Sequence, residues 1–345
     1  MSVDVTVLGA GIFGLSVAWA CVRRGARVRV IDPDGVASGS SGGVVGALAP
    51  HTPENWNDKK QFQLDSLLMA ETYWREIEAV GGGNAGYGRC GRLQPLSDER
   101  AVKLAEDRAM SARDLWGDRA VWRVEDVGVR GAWAPVSPTG KLVLDTLSAR
   151  IHPRQACAAL AAALRAKGVV MDEGVLSGAI VHATGYRGLA EMSAHLDQPV
   201  GNGVKGQALL LEYDARNAPQ LYADGLHIIP HADGTVAIGS TSERLWEEPA
   251  STDVLLEDVH ARAVAAFPVL QGTRVIEHWA GVRPRAKSRA PMLGRHPYRT
   301  GEFVANGGFK IGFGMAPKVG EVMADLVLDG GDVIPPSFKV EASLR

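Results

Sequence analysis

Cysteine is scarce in this chain. Cys21, Cys90 and Cys157 are scattered, odd in number and without a CxxC pair, which argues against a disulfide frame or a cysteine zinc site and predicts reduced thiols in a cytoplasmic protein. Charge of one sign is also missing: 37 Lys and Arg stand against 39 Asp and Glu, a formal net charge of −2. No overall polyanion-binding surface is expected, so a nucleic-acid partner would need a local basic patch. The apolar runs fall far short of a membrane span. With a first strand beginning almost at Met1, no signal peptide is expected. Internal repeats and low-complexity tracts are absent. What remains is 345 residues of ordinary globular composition, too long for one simple core, which predicts two domains.

The opening segment carries the strongest signal. Val3, Val5 and Val7 alternate, Gly9-Ala-Gly11-Ile-Phe-Gly14 follows at once, and a helical pattern runs to Arg24 and stops at Gly25. A second strand, 26–31, ends in Asp32, 18 residues after the last glycine. A strand–GxGxxG–helix–strand–acid order is a dinucleotide fingerprint. Gly9 permits the tight turn, Gly11 lets a pyrophosphate approach the backbone, and Gly14 with Ala18 lets helix and sheet pack closely. Ile12 and Phe13 open the helix whose N–H groups and positive dipole end face the phosphates. Asp32 is expected on the ribose, which disfavours a 2′-phosphate. The fingerprint does not choose between NAD and FAD. The Ser- and Gly-rich loop that follows, through Ser40, Ser41, Gly42, Gly43 and Val44, suits a backbone wrapped around an extended cofactor with a flat ring system.

Further along, helices are predicted over 58–80, 98–113, 152–168, 252–267 and 315–328, and a buried strand at 179–186 ending in Ala183-Thr184-Gly185. Strand signals run from 199 to 240, with Asp233-Gly234 as a hairpin marker. An opening βαβ unit, a later strand ending in "ATG" and a closing strand–glycine turn–helix predict an α/β domain assembled from discontinuous segments, 1–50, 150–200 and 276–345. A strand-rich substrate domain, 51–149 and 201–275, is interleaved with it. Small ligands are expected in the cleft between them. His227 and His231 are four apart but flank Pro230 in a strand, so no metal site is expected.

Several short motifs, in this order and spacing, resemble the D-amino-acid-oxidase-type FAD-dependent oxidoreductases, and among these the glycine oxidase pattern most. They are the first glycine loop, Gly42-Gly43-Val44-Val45-Gly46-Ala47, Ala183-Thr184-Gly185, Lys205-Gly206-Gln207, Gly281-Val-Arg283-Pro284 and Ala305-Asn306-Gly307-Gly308-Phe309-Lys310-Ile311-Gly312. The resemblance spans nearly the whole chain. It implies a two-domain α/β (α+β) fold with a Rossmann-like FAD-binding domain and noncovalent FAD, since no cysteine follows Cys157. Gly43-Val44 would meet the isoalloxazine edge. The turn Gly307 to Gly312 would lie beside the flavin, with the next helix aimed at its pyrimidine ring.

The same resemblance implies that Arg283 clamps a substrate carboxylate, fixing the α-carbon over flavin N5, and that Lys310 stands where the family often has arginine. His227 replaces a lid-like tyrosine of the glycine oxidase pattern and could meet a polar substrate side chain; His51 could approach the same cleft. Arg285 and Arg289 read as a solvated basic turn. The implied activity is oxidation of the C–N bond of a small amino acid or secondary amine. Hydride would pass to flavin, the imine would hydrolyse to an oxo acid, and oxygen is the expected acceptor. Two alternatives stand beside it. "SSGGVVGALAP" and "RCGRLQPL" also resemble the oxidase half of the tRNA wobble-uridine enzyme, which acts on an N-carboxymethyl group; the other alternative is a non-catalytic flavin-binding sensor. The sequence sets no oligomeric state.

Overall fold

Two sheets of different character make up the chain, in a computed structural model that describes residues 3–171 and 174–345. The first has six strands in the order β15 (Met292–Arg295), β16 (Glu302–Asn306), β9 (Ala179–His182), β1 (Val5–Leu8), β2 (Val28–Ile31) and β8 (Val170–Met171). It is parallel except for the β15–β16 pair. Val5, Thr6 and Val7 are all fully buried, as expected for a parallel strand covered on both faces. Helix α1 (Ile12–Arg23) is buried continuously from Ile12 to Cys21, because it lies between the sheet and two further helices, α4 (Pro153–Ala166) and α7 (Gly312–Ala324). Close packing there depends on missing side chains: a Cβ on Gly14 would lie 2.0 Å from the Gly9 carbonyl oxygen, and one on Gly320 would lie 2.6 Å from that of Ser16.

The second sheet has eight strands: β14 (Val275–Ala286), β10 (Gly201–Glu212), β13 (Thr235–Gly239), β12 (Leu226–Pro230), β11 (Gln220–Ala223), β4 (Arg92–Pro95), β6 (Lys141–Asp145) and β5 (Trp122–Asp126). Its pairs are antiparallel except β11–β4. Helix α6 (Leu255–Ala266) covers one face, packing Leu256, Val259 and Ala263 into a core with Leu209, Leu211, Ile228 and Ile238. Helix α3 (Glu99–Trp116), capped by Asp98, packs beside β5. A small ribbon, β3 (Ala47–Leu48) with β7 (Ala149–Arg150), and helix α5 (Gly185–His195) complete the element set.

Two segments sit apart from their expected partners. Helix α2 (Asp58–Gly81), capped by the Asn57 side chain and closed by left-handed Gly82, buries Trp74 and Ile77 in the same core as α1 and packs on α4 and α7. It therefore belongs with the first sheet, not with the strand-rich part. Strand β14, grouped in the sequence reading with the dinucleotide-binding segments, instead pairs with β10 along nearly its whole length. It forms the sheet edge, where Pro284 is tolerated. The strand expected over 179–186 ends at His182, because Gly185 takes a φ of +62° and α5 begins there. The helix expected from 315 starts at Gly312 and gives way to a wider turn over Asp325–Asp329, closed by Gly330.

Candidate active site

The carboxyl ends of β1, β2 and β9 meet β14, β12 and β11 around a cleft of about 810 Å³. In an open α/β sheet this is where the strand order reverses and ligands bind. Every sequence-named cofactor or substrate residue lines it except Gly14, Val44, Gly307 and Ile311. Those four act from behind. Gly14 permits the close turn already described. Val44 is fully buried and its carbonyl accepts a 2.8 Å hydrogen bond from His231 Nε2, while Val45 takes the wall position. Gly307 has a φ of +75°, and a Cβ on it would meet Ala286 at 3.0 Å. The Ile311 carbonyl accepts from Met315 N in the first turn of α7. His51 does not reach the wall; its backbone and ring both bond to the Gln63 side chain.

At one end, Gly9 and Gly11 bring backbone to the cleft at the start of α1. Gly11 caps that helix without a side-chain bond, and no acid occupies the first turn. Ser41 Oγ accepts from Ile12 N at 3.0 Å. Asp32 ends β2, its Oδ2 accepting from Ala10 N at 2.7 Å and its Oδ1 from Asp34 N at 3.1 Å; an ionised carboxylate keeps further lone pairs for a ligand. The loop Ser40–Gly43 is held tightly: a Cβ on Gly42 would meet the Ala37 carbonyl at 2.3 Å, and one on Gly43 would meet the Trp279 ring at 3.2 Å. Arg154 donates to the Gly42 carbonyl at 2.6 Å while also pairing with Glu277 of β14. Opposite, the N-terminus of α7 presents Gly312 and Phe313 to the cleft with neither an acid in its first turn nor a side-chain cap.

The other end is cationic. Arg283, on β14, is only 9% exposed. Its Nη1 donates to Ser240 Oγ at 2.7 Å, and its Nη2 to the carbonyls of Thr241 (2.7 Å) and Lys205 (3.2 Å), while Nε has no protein partner. No described carboxylate pairs with it. The acid whose charge acts on it, Glu243, is engaged with Gln207, Thr241 and, at 3.9 Å, Lys205. Burial pushes the guanidinium down to about 10, so it remains a cation at neutral pH. Gly206, directly across the β10–β14 ladder from Gly281, is where the guanidinium lies: a Cβ there would come within 1.9 Å of Nη2. Lys310 reaches solvent at the cleft wall; partial burial, then the like charges of Arg283 and Arg285, lower its ammonium's pKa. His227 is pushed down to about 3, first by burial and then by Arg92 and Lys310, so it is a neutral imidazole. It packs against Tyr222, with ring centroids 4.7 Å apart.

Sequence reading missed Tyr222, Ser240 and Trp279. A hairpin centred on Asp233 pairs His227 with Gly239 and so brings Ser240 beside the wall. That register was available from the Asp-Gly turn; the β11–β12 pairing that adds Tyr222 was not. Among the described residues, no group of three or more His, Cys, Asp and Glu is placed to hold a metal ion, and no helix is long and apolar enough to cross a membrane.

A parallel-sheet glycine loop, an acid at the end of the second strand and a ring-sized cleft against an antiparallel sheet define a dinucleotide-dependent enzyme of the flavin-binding class. The residues present fit FAD: open backbone at two helix N-termini, Asp32 for a ribose, and the small-residue loop for a ring. A family model described as FAD dependent oxidoreductase (DAO) matches residues 4–326, and the chain belongs to that family. It is an FAD-dependent oxidoreductase of the type that includes the glycine oxidases. Glycine oxidase of Pseudomonas putida is 29% identical over 98% of each chain. The crystal structure of glycine oxidase from Geobacillus kaustophilus superposes with a TM-score of 0.85 at 20% identity, covering 98% of each chain. That of iminodiacetate oxidase from Chelativorans sp. gives 0.84 at 21% identity, covering 97% of this chain and 98% of the other. At such identities these structures speak for the fold.

Proposed function

We propose that the protein oxidises the C–N bond of a small amino acid or secondary amine bearing a carboxylate, yielding an imine that hydrolyses to an oxo acid. The observation that carries this is the buried, carboxylate-free guanidinium of Arg283 in the cleft wall. An uncompensated buried charge is strongly unfavourable, and an anionic ligand supplies the missing partner. Of the five donors of a guanidinium, three are engaged by Ser240, Thr241 and Lys205, which fix its plane. A second Nη1–H remains for a substrate carboxylate, in a charge-assisted bond, while Nε stays buried without a protein partner. Positioning is then most of what the chain contributes. Bound FAD supplies the hydride acceptor, its ring N5, and oxygen is the proposed final acceptor.

The cationic surroundings disfavour an ammonium on the substrate and so favour the neutral amine that reacts. His227, neutral and beside Tyr222, offers a hydrogen bond without adding charge. The burial of Arg283 in the wall of an open cleft also favours an enzyme over a flavin-binding sensor. The cytoplasmic setting expected from the sparse cysteines is part of the same proposal. Anaerobic mixing of the purified yellow protein with amino acids, their D-isomers and N-methyl amino acids is expected to bleach the flavin, and air to restore it with peroxide formed. A protein that no amine or amino acid bleaches would refute the reading.

A further inference from the structure

Arg283 is not the only cation lacking a carboxylate. Arg283 and Arg285 lie two positions apart on β14, so both project to one face of the strand. Their Cζ atoms sit 5.8 and 5.4 Å from the centroid of the Phe309 ring, and Lys310 Nζ sits 5.9 Å from the same ring. Three positive charges thus surround one phenyl group, Arg283 and Lys310 lining the cleft and Arg285 lying outside its lining. Among the described residues, none of the three makes an ion pair, whereas Arg92 close by is already paired with Asp145 at 2.9 Å. The acids that line the cleft, Asp32, Asp34 and Glu191, lie at the nucleotide end, and Asp34 is paired with Arg187. One substrate carboxylate can offset Arg283 but leaves Lys310, which reaches solvent at the cleft wall, and the partly buried Arg285 as like charges facing each other without an anion.

We propose that the preferred substrate carries two carboxylates, one docked by Arg283 and the other by Lys310, with Arg285 adding positive charge from behind Phe309, so that its class is an amino- or imino-dicarboxylate. The inference rests on the amine-oxidising reading above and narrows its substrate. The second carboxylate takes no part in bond breaking; it contributes binding and sets which end of the molecule faces the ring.

The test uses the FAD-loaded enzyme in two arms. In the first, thermal unfolding is followed with succinate or malonate, which have no C–N bond, and with acetate at equal ionic strength. The dicarboxylates are expected to raise the midpoint well beyond acetate; equal shifts would overturn the inference. In the second, kcat/KM is compared between D-aspartate or iminodiacetate and glycine or D-alanine. The dicarboxylate is expected to be preferred. Lys310→Met is expected to lower the dicarboxylate-to-monocarboxylate ratio at least about tenfold, the size of one charge-assisted contact, and Arg285→Met to lower it less. An unchanged ratio would refute the assignment. So would a Lys310→Met enzyme with an altered flavin reduction potential and equal losses on both substrates, which would place Lys310 on the cofactor. If dicarboxylates stabilise but nothing bleaches the flavin, the amine-oxidising reading fails while the two-anion site stands. If monocarboxylates bleach it with the ratio unmoved, the reverse holds.

Discussion

The two ends of the cleft are built on opposite principles. At the proposed nucleotide end the cleft is lined mainly by backbone: glycines without side chains and helix N-termini without caps, with one acid ending a parallel strand. Its geometry is written within a few consecutive residues. At the proposed substrate end side chains face the cleft: Arg283, His227 and Tyr222 come from three strands of the antiparallel sheet, and Lys310 from the turn between β16 and α7. The first end offers partial charges that few substitutions can alter without breaking the turn. The second offers full charges that single substitutions can remove while the sheet survives. On the proposed roles, cofactor binding and substrate choice can vary independently.

The largest expected effect tests that independence. Arg283→Ala should lower kcat/KM about 30- to 5,000-fold, the cost of about 2–5 kcal/mol for losing a buried charge partner, with flavin content unchanged on denaturation and release. Loss of flavin along with activity would show that the two ends are coupled. Next comes acid. His231 is 0% exposed and held from its ordinary 6.5 down to about 4, first by burial and then by the charge of His152. Its neutral folded form contributes full stability above pH 6.5, and that contribution drains away as pH falls toward 4, by about 3 kcal/mol. Because its Nε2 ties the flavin loop at Val44 to the antiparallel sheet, flavin release is expected to follow the same acid limb. His231→Gln, which keeps a donor but cannot charge, should flatten it.

Asp32→Asn should weaken FAD about tenfold or more, on the scale of a hydrogen bond to a charged group, with substrate KM unmoved in the FAD-saturated enzyme; flavin titration and steady-state kinetics read the two separately. Gly206→Ala sharpens the other side. Its methyl would come within 1.9 Å of Arg283 Nη2 and should raise substrate KM about tenfold through a displaced guanidinium, without loss of flavin. The smallest effect belongs to His227→Phe, which keeps the packing on Tyr222 and removes one hydrogen-bonding group. A change in KM below about tenfold is expected, with no acid limb near pH 6.5, since the imidazole does not titrate there.

The βαβ opening was legible because strand, glycine turn, helix and acid are neighbours in the chain and each constrains the next. Asp32 and the Ser40–Gly43 loop followed from it, and both reach the cleft. Arg283 was legible as an arginine amid small apolar residues, and it lies buried in the cleft wall without a carboxylate partner. What escaped was pairing at long range. The partnership of β14 with β10 joins residues about eighty apart, and nothing local in Trp279-Ala-Gly-Val-Arg283 says which sheet it enters. The same holds for α2, whose loosely periodic face fits either layer until Trp74 and Ile77 find α4 and α7. Tyr222 and Ser240 were invisible for this reason as well.

Strand β14 also acts as a gauge. Trp279, lying against Gly43 of the flavin loop, and Arg283 sit four positions apart, about 13 Å along an extended chain. The ring of Trp279 lies over Gly281, where a Cβ would meet it at 2.4 Å. On the proposed roles, that interval sets how far a docked acid would stand from the Ser40–Gly43 loop. Deleting a single residue between them would turn the arginine to the far side of the sheet, whereas inserting two would keep its side and lengthen the reach by about 7 Å. A lineage could thus accept longer substrates by changing the strand's length in pairs, leaving every contacting side chain as it is.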